Sequence, residues 1–217
     1  MNNISDARQY SPATQRNREP ILEVLSQILP PTGTVLEISS GTGEHAVYFA
    51  PQLKPRKWIP SDPNPTARAS ISAWQEQMPA DNLYTPVEID AQDSLWVVEA
   101  GGGWEYHQDL ENSPITAIVN INMIHISPWE SCLGLMKGAS RILPKGGILY
   151  MYGPYKRNGQ HTAPSNESFD NSLRSQNPSW GVRNLNDVVE VAQNCNLELV
   201  QINEMPANNL SVVYRRI

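Results

Sequence analysis

The sequence predicts a doubly wound α/β fold of Rossmann type, and three observations carry that prediction. A strand-like run, Val35-Leu-Glu-Ile38, turns through Gly41-Thr-Gly43 straight into a helix-forming stretch. Two further apolar runs, Lys57-Trp-Ile-Pro-Ser-Asp62 and Tyr84-Thr-Pro-Val-Glu-Ile-Asp90, again end in an acid. Strand-like and helix-like segments then alternate to the C-terminus, the pattern of a mostly parallel sheet with right-handed crossovers and helices on both faces. The chain has 217 residues, 40% apolar and 18% charged, which suits one α/β domain with core enough to fold alone. Residues 1–217 therefore read as a single domain, with 1–30 as an N-terminal cap.

Each element has a local reason. Residues 1–20 are polar, and Pro20 suits the first turn of a helix over Ile21–Leu29. Pro30-Pro-Thr-Gly33 stops it. The first strand follows at 34–38, a helix runs from 43 to about 50, and a second strand covers 57–61. Pro63 and Pro65 keep the next loop extended before a helix over 66–78, spaced by Ile71 and Trp74. A third strand is expected at 86–89. Between 91 and 114 the triplet Gly101-Gly-Gly103 marks a turn, and Trp96 and Trp104 are expected to pack onto the domain. Residues 115–120 form a continuous apolar run, as a strand buried on both faces should. A helix over 132–143 stops at Pro144-Lys-Gly-Gly147, and 148–152 form the fifth strand. The polar stretch 153–181 reads as a long loop, and loops beyond ~12–15 residues inside compact domains are usually functional or disordered. We expect it to be a lid. A helix over 185–194 and an antiparallel strand pair, 197–202 and 210–216, close the chain.

The glycine turn is chemically specific. Gly41 and Gly43 let the backbone turn tightly and approach a ligand, while the helix that follows offers free N–H groups. A dinucleotide fingerprint wants a third glycine where this chain has Ala46. Glu37 at the strand end would repel a pyrophosphate but suits the cationic end of S-adenosylmethionine. Asp62 lies nineteen residues beyond Gly43, the distance at which a βαβ unit sets a carboxylate beside ribose hydroxyls. A net charge of −6 argues against a broad phosphate-binding face, hence against nucleic acid. Cys132 and Cys195 are far apart and suggest neither a disulfide framework nor a metal site. No apolar run is long enough to span a membrane and no signal-peptide pattern opens the chain, so a cytoplasmic location is expected.

With these features in place, the chain resembles class I S-adenosylmethionine-dependent methyltransferases. More closely it resembles the family catalogued as domain of unknown function 938, which includes methyltransferase-like protein 26 of animals. The matching segments are 16–22, 36–45, 60–62, Asn120-Ile-Asn-Met-Ile-His-Ile-Ser-Pro-Trp129, Tyr152-Gly-Pro-Tyr155, 162–167 and Met205-Pro-Ala-Asn-Asn-Leu210. The resemblance implies a seven-stranded methyltransferase sheet with its last strand antiparallel, and S-adenosylmethionine as donor. It implies no substrate. Ser39 departs from the broad class, where many members carry the first of three glycines.

Site residues follow from this frame. Glu37, Ser39, Gly41 and Gly43 are expected at the donor's methionine end, Asp62 and Pro63 at its ribose, and Asp90 and Ala91 at its adenine. Asn120 and Asn122 would flank its other side. His125 is the candidate general base, with a histidine hydrogen-bonded in the core as the competing reading. His45 is expected to meet the donor through its backbone only, and His161 belongs to the polar loop. Substrate holders are Tyr152, Tyr155, Asn166 and Trp180 around the lid, with Tyr10, Arg16, Asn17 and Arg18 opposite. An arginine there suits a carboxylate on donor or acceptor. Asn208 and Asn209 read either as pocket residues or as a plain turn. The expected activity is methyl transfer to a small polar metabolite at N, O or S, by a monomer or homodimer. The alternative is a non-catalytic S-adenosylmethionine or S-adenosylhomocysteine-binding module that partners another enzyme. An NAD(P)-dependent oxidoreductase is set aside because of Glu37. A base-amine motif of the Asn/Asp-Pro-Pro-Tyr/Trp type is absent.

Overall fold

The computed structural model describes residues 6–99 and 107–217; the Gly101–Gly103 turn and Trp104 lie outside them. Its main sheet begins with β1 (Thr34–Ile38) and β2 (Lys57–Ser61), which pair in parallel. On the other side of β1 lie β3 (Ile115–Ile121) and then β4 (Ile148–Gly153), both parallel to it. A hairpin of β5 (Lys156–Arg157) and β6 (Gln160–His161) stands apart. The last strands are β7 (Leu197–Met205) and β8 (Asn209–Arg216), and β8 inserts antiparallel between β4 and β7. The sheet order is β2-β1-β3-β4-β8-β7.

The helices are α1 (Pro12–Ile28), α2 (Glu44–Gln52), α3 (Pro65–Gln77), α4 (His107–Asn112), α5 (Trp129–Ile142), α6 (Pro164–Gln176) and α7 (Leu185–Asn194). Successive strand residues face opposite sides, so the sheet divides the core in two. Leu36, Ile38, Ile118, Leu149, Met151 and Tyr214 pack toward α5 and α7. Val35, Trp58, Ala117, Val119, Tyr150 and Val213 face α1 and α2. All five residues of β1 are buried, as a central parallel strand requires.

Three expectations need correction. Among the described residues the sheet has six strands, not seven. The 86–89 segment lies extended beside β2, bonded through Tyr84 N to the Trp58 carbonyl at 2.9 Å and Val87 N to the Pro60 carbonyl at 3.0 Å. Pro86 and Pro60 both lack an N–H, so a regular ladder does not form. The first helix starts at Pro12 rather than Pro20, and Pro20 sits inside it. Proline removes one helical hydrogen bond there, but Thr14, Asn17, Ile21 and Leu25 bury one continuous stripe and outweigh that loss. The polar stretch 153–181 is not a loop: it holds the β5–β6 hairpin and α6. Helix α6 shows few apolar positions because only Asn166, Asp170 and Leu173 are buried along it, so the usual apolar period is missing.

Trp96 is 1% exposed and its ring abuts Gly138 of α5. Gly134, one turn earlier, faces the Ala91 carbonyl just as closely. Small residues on α5 thus let the 91–96 segment lie directly on the helix. Among the described residues no helix is long and apolar enough to cross a membrane.

Candidate functional site

The crossovers leave β1 toward β2 on one side and β3 on the other, which opens a crevice at the C-terminal ends of the parallel strands. Two adjoining cavities lie there. The smaller, of about 180 Å³, is walled by Glu37, Ser39, Gly41, Thr42, His45 and Asn122 among others. The larger, of about 680 Å³, is walled by Arg16, Asn122, Tyr152, Asn166, Phe169 and Asn209 among others. Ser11, Ala13, Asn17, Asn122 and Ile126 belong to both walls.

The smaller cavity is mostly a backbone construction. Ser39, Gly41 and Gly43 all take left-handed φ values, of 59, 57 and 88°. The two glycines do different work. A Cβ on Gly41 would meet no atom within 4 Å, whereas one on Gly43 would lie 2.8 Å from the Ile71 Cα. Gly41 therefore keeps the cradle open, and Gly43 lets α2 begin hard against α3. Ser40 locks the turn to β2: its N–H donates to the Ser61 carbonyl at 2.8 Å, and its hydroxyl accepts from the Ser61 N–H at 3.1 Å.

Glu37 is 1% exposed. Burial pushes its carboxyl up to about 7, although the Trp58 indole N–H donates to Oε2 at 2.9 Å and Ser40 also favours the charged form. A cation arriving in this cavity would ionise Glu37. Asp62 stands at the neighbouring strand end, outside the cavity wall. It accepts the Gly41 N–H at 3.0 Å and the Asn64 N–H at 2.9 Å, and burial raises its pKa. A carboxylate offers about four lone-pair positions, so two remain for a ligand.

His45 lies in the first turn of α2 and on the wall of the smaller cavity, with its side chain bonded to Asn17. Its Nε2 lies 2.9 Å from Asn17 Oδ1, and burial, reinforced by Arg18, lowers its pKa to about 3. Burial favours the neutral ring, in which Nε2–H donates to Asn17 Oδ1. Asn17 and Tyr152 both line the larger cavity, and burial raises the Tyr152 pKa.

Of the expected donor-site residues, Glu37, Ser39, Gly41 and Asn122 line the smaller cavity; Gly43, Pro63, Asp90, Ala91 and Asn120 do not. Pro63 is exposed. Asp90 accepts the Gln92 N–H at 2.9 Å, and the Ala91 carbonyl is turned to α5. Asn120 donates to the Ile38 carbonyl at 3.0 Å, tying β3 to β1. Thr14, Ser40, Thr42 and Ile121 join the wall without having been expected.

Of the expected substrate holders, Arg16, Asn17, Tyr152 and Asn166 line the larger cavity. Tyr10 instead sets its ring 5.1 Å from Trp74, and Arg18 stacks its guanidinium 4.5 Å over Tyr48. Tyr155 packs into the core on the far side of the sheet, and Trp180, which follows α6, lines neither cavity. Phe169 and Ile126 were missed, while Asn209 takes the pocket alternative of its two readings. A lone Phe in a polar helix was the available signal for the first.

His125 does not reach either cavity. It is fully buried, its Nδ1 accepts the Arg183 N–H at 3.3 Å, and its carbonyl accepts the Gly181 N–H at 2.8 Å. Burial, then the Arg183 charge, lowers its pKa to about 3. The competing reading, a core histidine, describes it. Tyr152 and Lys156 have the Tyr-x-x-x-Lys spacing of some oxidoreductases, but Lys156 is held by Asp170 at 2.7 Å and lies beyond the strand, not one helical turn away.

Asp170 is the clasp of this side. Lys156, His161 at 3.2 Å and Arg174 at 3.1 Å converge on it, and the Val182 N–H donates to it at 2.8 Å. Burial pushes its pKa up, but these partners more than offset that and hold it below the usual carboxylate range. Asn166 joins α6 to the 206–209 turn by donating to the Asn208 carbonyl at 2.9 Å.

The sequence pattern of the family described as "Protein of unknown function (DUF938)" matches residues 8–216. The chain belongs to that family. Among solved structures it is similar to the S-adenosylmethionine-dependent methyltransferase SibL in its apo form (TM-score 0.72, 15% identity, 94% of this chain and 55% of that one). It is also similar to an O-methyltransferase family protein from Burkholderia thailandensis (TM-score 0.71, 13% identity, 94% and 57%). Human N-acetylserotonin methyltransferase in complex with S-adenosylmethionine gives a TM-score of 0.71 at 12% identity, over 94% and 52%. These likenesses establish the class I methyltransferase fold for this DUF938 member. The chain spans little more than half the length of these neighbours.

Proposed function

We propose that this DUF938 protein is an S-adenosylmethionine-dependent methyltransferase acting on a small molecule. The observation that carries the proposal is the pair of adjoining cavities at the C-terminal sheet edge, which share Asn17, Asn122 and Ile126. One has the backbone lining that suits the donor's methionine end, and the other has room for a metabolite.

S-adenosylmethionine, when bound, supplies a methyl group on a sulfonium, which a nucleophile takes in line. The residues fit it: Gly41 leaves empty the space a Cβ would take, and Glu37 faces the cationic end with one carboxylate oxygen uncommitted. Asp62 is the ribose holder in this reading. Asn122, with φ 64°, stands where the two cavities meet and would orient the acceptor. Among the described residues no His, Asp, Glu, Lys or Cys lines the larger cavity, so the reading relies on positioning, which supplies up to ~7–11 kcal/mol, rather than on a dedicated base. Helix α6 gives Ser165, Asn166 and Phe169 to the wall of the larger cavity, and this ordered wall supports an enzyme over an open binding module.

Calorimetric titration with S-adenosylmethionine, S-adenosylhomocysteine and NAD tests the proposal. Binding of both adenosyl ligands and not of NAD is expected. Asp62→Ala should weaken that binding about tenfold, or ~1.4 kcal/mol, with the fold intact. Silence from both adenosyl ligands would sink the proposal.

A further inference from the structure

We infer that the acceptor is a carboxylate-bearing molecule with a flat apolar body, anchored through Arg16 and Tyr152. The inference rests on the methyltransferase reading and names the substrate class of the same site.

Among the described residues Arg16 is the one charged residue on the wall of the larger cavity, and it makes no ion pair or hydrogen bond there. It does not line the smaller cavity, so its charge belongs to the acceptor side. Tyr152 stands on the same wall, and among the described residues its hydroxyl donates no hydrogen bond. A guanidinium and a hydroxyl free to donate suit a carboxylate, which takes charge-assisted bonds from both. Among the described residues no carboxylate lines the cavity to compete.

The rest of the wall fits the other end of such a molecule. Ile126 and Phe169 are 43% and 40% exposed and, with Pro154 and Pro206, give apolar surfaces for a planar body. Asn166 and Asn209 both use their amide hydrogens on backbone carbonyls of the 206–208 turn. Their Oδ1 atoms are left as acceptors, suited to an O–H or N–H on the reacting end. The carboxylate is then the handle and not the group methylated.

The test uses the full chain loaded with S-adenosylhomocysteine, titrated with benzoate, phenylacetate and cinnamate, each beside its primary carboxamide. At least one carboxylate should bind about tenfold more tightly than its amide, as expected for a charge-assisted pair. Arg16→Gln, a change between good helix formers at an exposed position, should erase that preference and leave S-adenosylhomocysteine affinity unchanged. Equal binding of acids and amides overturns the inference, and so does failure of every acid to bind the loaded protein. Loss of S-adenosylhomocysteine affinity in Arg16→Gln also overturns it, by moving Arg16 to the donor side. Should the wild-type chain not bind S-adenosylhomocysteine, the methyltransferase reading falls, and the acid preference is read on the free protein.

Discussion

The two cavities are built in opposite ways. The donor side centres on one continuous turn, residues 37–45, shaped by three left-handed backbone positions and one buried acid and closed by α1 and the turn after β3. The acceptor side is assembled from α1, the turn after β3, the end of β4, α6 and the 206–209 turn, and its chemistry is carried by side chains. A local backbone device is rigid and general. A wall gathered from five segments is adjustable and specific, which is how one fold serves many acceptors.

The largest expected effect separates two glycines within the donor turn. Gly43→Ala places a Cβ against the Ile71 backbone at φ 88° and should destabilise the fold by about 2–4 kcal/mol. Gly41→Ala meets open space and should cost only about 1 kcal/mol, yet weaken S-adenosylhomocysteine binding. Denaturant unfolding and calorimetry on both variants check this. Equal losses of stability would remove the distinction between a packing glycine and a cradle glycine.

On the acceptor side the corresponding weak point is Asp170. Asp170→Asn leaves Lys156, His161 and Arg174 converging on a neutral group and should loosen α6 by about 1–3 kcal/mol. Hydrogen exchange should rise over Pro164–Gln176 while β1 and α2 stay protected. In the wild type the same contribution is present above the ordinary pKa of 3.8 and is lost as pH falls further. Uniform protection in the variant would show that α6 is held by something else.

Acid sensitivity joins the two sides. His45 and His125 are held neutral, at about 3 against an ordinary 6.5, so the unfolded chain takes up their protons first and stability falls as pH drops below 6.5. Glu37 opposes this: raised from 4.5 to about 7, it keeps its proton in the folded state across the same window. Asp62 acts in the same sense as Glu37 at the acid end. Two protons against one leave a net loss of about 1.4 kcal/mol per pH unit between roughly 6.5 and 5. Glu37→Gln should about double that slope in unfolding curves. An unchanged slope would mean that Glu37 is ionised in the free protein.

How far the sequence could be read follows the same division. The donor turn was legible because left-handed positions call for glycine and because each strand ends in its acid within a few residues. The acceptor wall was legible only in part, since it depends on helix phase. Arg16 and Arg18 differ by about 200° around a helix, so one lines the cavity and the other stacks on Tyr48. With the helix started at Pro20 that phase was unavailable. Tyr152 and Tyr155 part for a similar reason, falling into the two cores on opposite faces of the sheet. His125 looked catalytic because its segment leaves a strand at the active edge, but the chain between Gly181 and Arg183 closes over it, a contact far away in sequence.

The smallest effect probes the one position where the donor turn departs from its class. Ser39 holds φ 59° without being glycine. Ser39→Gly relieves a strain of about 1 kcal/mol but frees the unfolded chain by a nearly equal amount. Folding stability should therefore change by no more than about 0.5 kcal/mol. The informative readout is S-adenosylhomocysteine affinity. If the turn holds its ligand through backbone groups, affinity stays within about twofold, the expectation for a backbone device. If it falls about tenfold, the worth of one charge-assisted hydrogen bond, the Ser39 hydroxyl is a ligand in its own right. The donor side would then share the side-chain specificity that otherwise marks the acceptor side alone.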